Sequence, residues 1–147
     1  MDLNTDGWAF IGETTNSRCY MIDPDVMLAV PHAGTHDTDA TARENVAFQV
    51  GYFRERGLCG VVLIMADRIQ SLDKEARRVY QEEIGPPHVR AAGMIGVSLL
   101  ARAIGSFLIG LSRPRIPFKL FGSLEAATAW ARTMNRTAAA GAGEVPR

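Results

Sequence analysis

The sequence predicts an α/β domain: a mixed, mostly parallel sheet of about five strands with about four helices and an N-terminal hairpin. Three observations carry this expectation. Residues 58–66 (LCGVVLIMA) form a continuous apolar run rather than an alternating one, as in a strand covered on both faces. Residues 19–22 (CYMI) and 26–30 (VMLAV) are apolar runs parted only by Asp23-Pro24-Asp25, where proline fixes φ for a tight turn and so defines the hairpin. Beyond it, strand-like and helix-like segments alternate, the order that joins parallel strands by right-handed crossovers.

After Pro31 the chain is polar through HAGTHDTDA, then Ala42, Val46, Val50 and Phe53 recur at helical spacing until Gly57. Thr41 with Glu44 has the form of a capping box at the start of this helix. The strand at 58–66 is expected at the centre of the sheet. Leu72, Ala76, Val79, Tyr80 and Ile84 mark one face of a second helix, with Asp73, Lys74, Glu75, Arg77 and Arg78 on its solvent side and Gly85-Pro86-Pro87 ending it. Residues 89–95 supply a strand, 98–110 a third helix and 117–121 a short final strand; Ser123 opens a last helix through Trp130 and Met134. Segment 1–18 shows Trp8, Phe10 and Ile11 in rough alternation and is assigned no element. From Thr137 (TAAAGAGEVPR) the only large apolar residue is Val145, so the tail 137–147 is expected to be disordered and 19–136 to form one domain.

Lys plus Arg and Asp plus Glu each number 16, so the formal net charge is zero and no global positive field favours a nucleic acid. Cys19 and Cys59 sit among apolar neighbours and are expected to be reduced. The opening MDLNTDGWAF carries Asp2 and Asp6 where a signal peptide needs a basic start, which points to the cytoplasm. Residues 91–111 are long enough to span a bilayer, but Arg102 at the middle would cost about 2.5–3.5 kcal/mol there. Gly93, Gly96 and Ser98 mark a break, so a strand followed by a helix is expected, with no transmembrane segment.

His32 and His36 with Asp37 and Asp39 are metal-ligand types, but Pro31 and Gly34 make this a loop in which sequence spacing says nothing about geometry. No metal site is expected. Gly105 to Ser112 has the glycine spacing of a phosphate-binding loop, yet Leu111 stands where that motif needs lysine. Asp67 and Asp73 flank Ser71, and Asp73 suits a helix start electrostatically. No catalytic residue and no cofactor are expected, and the protein reads as non-enzymatic.

The third helix is more informative. Leu99, Leu100, Ala101, Ala103, Ile104, Phe107, Leu108 and Leu111 sweep roughly 200° of its circumference, against about 100° for one buried stripe. Either the helix is sandwiched inside the domain, or part of its surface meets a partner protein, a second copy, an acyl chain or a bilayer surface. Beyond it Arg113, Arg115 and Lys119 surround Pro114 and Pro117; these cations suit a helix C-terminus, and equally a carboxylate or an anionic headgroup. The candidate ligand-binding residues are Leu100, Arg102, Ile104, Phe107, Leu108, Arg113 and Arg115.

Residues 98–121 (SLLARAIGSFLIGLSRPRIPFKLF), with the alanine-rich segment to Trp130, resemble the SpoIIAA-like, STAS-type family of small bacterial proteins. The family pattern R-x-I-x-x-F-x-x-G-x-x-x-P-x-x-P-x-x-x-F falls here on Arg102, Ile104, Phe107, Gly110, Pro114, Pro117 and Phe121. The resemblance covers residues 19–133 and implies a SpoIIAA-like fold. In the anti-sigma antagonist branch, a strand leads into an Asp-Ser-Ser-Gly-like turn whose serine is phosphorylated by a partner kinase. The corresponding stretch here is Gln70-Ser71-Leu72-Asp73-Lys74, without the second serine or the glycine. Ser71 is expected to cap the second helix, a role worth about 1 kcal/mol, with regulatory phosphorylation as the alternative. The function expected is binding of a hydrophobic anionic ligand, a fatty acid or lipid, through the third helix. The alternative is a regulatory protein-protein module with a degenerate switch at Ser71, and a homodimer would also cover the surplus apolar surface.

Overall fold

The apolar runs pair as their patterning requires. The computed structural model describes residues 5–110 and 115–143, with their side chains except at 107–110 and 139–143. In it β2 (Ser17–Asp23) and β3 (Val26–Pro31) form the antiparallel hairpin, whose turn holds Asp25 at φ 57°, a left-handed conformation that aspartate tolerates. β5 (Gly60–Met65) lies between β3 and β7 (Val89–Ile95), parallel to both, and Val61, Val62 and Leu63 are fully buried. β8 (Phe118–Phe121) adds in parallel to β7 at one edge.

These are the five strands expected, and the structure adds three. β1 (Ala9–Glu13) pairs antiparallel with β2, its register broken between Phe10 and Gly12, and completes a six-stranded sheet of order β1-β2-β3-β5-β7-β8. Part of segment 1–18 is therefore an edge strand. β4 (Thr35–Asp37) and β6 (Ile69–Leu72) form a separate parallel pair, in stretches whose sequence reads as a loop and a helix start.

The helices are α1 (Asp39–Glu55), α2 (Lys74–Glu83), α3 (Leu99–Gly110) and α4 (Leu124–Gly143). α1 starts at Thr38 rather than Thr41: the Thr38 hydroxyl accepts from the Thr41 amide while Thr41 Oγ1 accepts from the Thr38 amide, a capping box closed by threonine instead of glutamate. α4 continues past the expected boundary at 136 as far as Gly143, because the alanines after Thr137 favour helix more than their lack of apolar bulk opposes it.

Alternation along the strands sends side chains to two faces. Val26, Leu28, Val30, Val61, Leu63, Ala91 and Ile95 face α4, where they meet Ala127 and Ala131. On the opposite face Met27, Val62 and Ala92 pack with Phe53 of α1 and with Ile84, and Met94 packs with Ala101 and Ile104 of α3. α2 leans on α1 through Ala42, Val46, Ala76 and Val79. Cys19 and Cys59 are both free thiols, and burial pushes the Cys19 thiol up to about 12, which keeps it protonated. Among the described residues no helix is long and apolar enough to cross a membrane.

Candidate functional site

The face covered by α1, α2 and α3 is incompletely filled. Ala29 of β3 and Ala92 of β7 put methyl groups where larger side chains would reach the helices, and with Ile64 and Met94 they floor a cavity of about 500 Å³. That size lies within the range of small-molecule pockets. Ile69, Leu72, Ile84, Ile104, Ile116 and Phe118 supply apolar walls. The exposed lining residues Glu82 and Arg115 mark the mouth, where the Arg115 guanidinium donates to the backbone carbonyl of Glu82.

Asn16, Asp37, Asn45 and Tyr80 form a polar end. The pleat of β4 turns Thr35 and Asp37 inward and His36 outward. Asp37, 3% exposed, accepts three hydrogen bonds: from Thr41 Oγ1 at 2.5 Å, from Asn16 Nδ2 at 3.2 Å and from the Tyr80 hydroxyl at 2.5 Å. Asn45 Nδ2 donates to Asn16 Oδ1 and to the Tyr80 oxygen, each at 2.9 Å, and Asn45 Oδ1 accepts from Thr14 at 2.5 Å. Burial, reinforced by the Asp37 carboxylate, pushes the Tyr80 phenol far above its ordinary range, so it remains a donor.

Two further amides line the cavity in a different condition. Gln49, on the inner face of α1, is 2% exposed, and its Oε1 is buried with no hydrogen-bond partner among the described residues. The buried Nε2 of Gln81 on α2 is unpartnered in the same way.

Of the ligand residues expected from the sequence, Ile104 and Arg115 line this cavity. Leu100 is half-buried against the α3 core and Arg102 is exposed on the outer side of the helix. The side chains of Phe107 and Leu108, and Arg113 as a whole, fall outside the described residues. Leu99, at 87% exposure, faces away from the core. The start of α3 is held by Asp67, whose carboxylate accepts from the Val97 and Ser98 amides at 3.0 and 2.9 Å. Slight burial opposes ionisation of Asp67, but these amides outweigh it and lower its pKa.

Ser71 does not cap α2. The N-cap is Asp73, which makes no side-chain capping bond among the described residues, and Ser71 lies within β6. Pairing with β4, continued by the Asp73 amide donating to the Asp37 carbonyl at 3.0 Å, keeps the chain extended past the serine. Ser71 Oγ instead sits 2.6 Å from Nδ1 of the exposed His36. Among the described residues no three His, Cys, Asp or Glu side chains converge as a metal site.

The polar lining was missed in the sequence, although one signal was present. At 3.6 residues per turn Gln49 and Asn45 flank one side of the stripe formed by Ala42, Val46 and Phe53, and two amides bordering the apolar stripe of a helix indicate buried polar chemistry.

Fold and cavity together define an α/β domain with an interior pocket. Residues 20–135 match the family described as a domain of unknown function (DUF7793), and the chain belongs to that family. The matched span includes every cavity-lining residue except Asn16 and Ser17. No curated protein and no solved structure shows a significant match.

Proposed function

We propose that this chain is a non-enzymatic, SpoIIAA-like binding module that holds a hydrophobic anionic ligand of the fatty-acid kind inside the domain. The acyl part lies against Ala29, Ile64, Ala92, Met94 and Ile104, and the acid group rests at Arg115. The observation that carries this reading is the cavity, about 500 Å³ with mostly apolar walls and a cation at its mouth. Each methylene transferred from water into such a site contributes about 0.8 kcal/mol, so a modest chain length supplies useful affinity. Burial and the neighbouring Asp37 carboxylate hold the Tyr80 phenol protonated, which supports binding rather than catalysis.

Native mass spectrometry of the purified protein, followed by denaturing extraction, is expected to release a straight-chain acid. Arg115→Glu is expected to weaken binding of a fluorescent fatty acid by about tenfold or more with only a small shift of the melting midpoint, since Arg115 is exposed and gives up one hydrogen bond, to the Glu82 carbonyl. An apo mass together with no saturable uptake of the fluorescent acid would remove this reading.

The contact between His36 and Ser71 favours a second reading, regulation through Ser71. Freed from capping, the hydroxyl lies beside an imidazole whose protonated form would stabilise a phosphate. Protein isolated from its native cells is then expected to carry a phosphoryl group that fragmentation locates on Ser71. Finding only unmodified Ser71 would count decisively against it.

A further inference from the structure

We infer that the cavity selects ligands bearing a hydrogen-bond donor on their buried part, hydroxy acids over plain fatty acids, and that Gln49 reads that group. This rests on the ligand-binding reading above and specifies the class of acid.

The polar end divides into satisfied and unsatisfied groups. Asp37 has its three donors; Tyr80 donates to Asp37 and accepts from Asn45; Asn45 spends its amide on Asn16 and Tyr80 and its oxygen on Thr14. That network is complete without a ligand. Gln49 is the exception: a side chain 2% exposed, at the cavity wall, whose Oε1 finds no donor among the described residues.

Native interiors rarely leave a buried polar atom unpaired, because it forfeits its bond to water and gains nothing. A ligand that packs against Gln49 without a donor leaves the amide oxygen stranded, and a polymethylene chain offers no donor. A hydroxyl does. It also accepts, and the unpartnered Nε2 of Gln81, a residue of α2 that also lines the cavity, is a donor in want of an acceptor. The pocket thus presents one unmet acceptor and one unmet donor, the pair of capacities that an alcohol group supplies. Sites with buried groups of this kind discriminate strongly against the analogue lacking the hydroxyl.

The test is displacement of a fluorescent fatty acid by straight-chain acids from octanoic to hexadecanoic and by their ω-hydroxy and mid-chain hydroxy counterparts. For at least one length the hydroxy acid is expected to bind about tenfold tighter than the plain acid. Gln49→Met, close in volume and without the amide, is expected to erase that preference, read as the ratio of hydroxy-acid to plain-acid affinity, with Gln49→Leu as a second variant and melting curves confirming that each is folded. Plain acids binding as well as hydroxy acids at every length, or a preference that survives both variants, would overturn this inference and leave the fatty-acid reading standing. If neither kind of acid displaces the probe and the probe itself does not bind, both readings fall.

Discussion

Asp37→Ala is expected to lower the unfolding free energy by about 3–5 kcal/mol, read from the urea midpoint at constant slope. The carboxylate is the acceptor for Thr41, Asn16 and Tyr80 at once, and it is 3% exposed. Its removal takes that acceptor from Asn16 and Tyr80 in a place that solvent reaches poorly, while the Thr41 hydroxyl keeps the Thr38 carbonyl at 3.2 Å. The loss also spreads, because Thr41 belongs to the capping box of α1 and Tyr80 ties α2 to Asn45 of α1. Tyr80→Phe, which removes one donor and leaves the carboxylate with two, is expected to cost only about 1–2 kcal/mol. Against a typical domain stability of about 5–15 kcal/mol, the alanine variant would be marginal and the phenylalanine variant robust. Equal and small losses in both would mean that the network contributes little to the fold.

The contrast between what the sequence shows and what it hides follows from the range of the forces involved. β3, β5 and β7 were legible because burial on two faces writes itself as an unbroken apolar run. β4 and β6 were not, since three or four residues are too few to display a period, and their extended state is imposed by pairing with each other. That same pairing overrode the local sense of Ser71, whose position before Asp73 and Glu75 has the form of a cap. The apolar arc on α3 is broader than one buried stripe needs, and among the described side chains it divides between Ala101 in the core, Ile104 at the cavity and Leu99 in solvent. The cavity itself is a space left by Ala29 and Ala92, and an alanine in a strand looks the same in sequence whether or not a neighbour fills the room beside it.

That space can be filled on purpose. Ala92→Phe is expected to reduce fatty-acid affinity by about a hundredfold or more while leaving stability unchanged or raised by about 0.5–2 kcal/mol. Ala92 lies in the middle of β7, paired with Val62 on one side and Phe118 on the other, and its methyl group faces the cavity. A phenyl ring built there enters open volume and gains apolar contacts with the walls, where in a packed core it would force its neighbours apart. The adjacent residue supplies the control. Gly93 points to the opposite face, where an added methyl would lie 3.0 Å from Leu63 and 3.2 Å from Phe121, so Gly93→Ala is expected to destabilise without touching ligand affinity beyond its effect on the folded fraction. Calorimetric melting and titration of both variants separate the two faces of one strand. Ligand binding lost at 92 with stability intact places the acyl chain in this cavity; binding retained in a stable Ala92→Phe protein would exclude this cavity as the site, whatever else the protein binds.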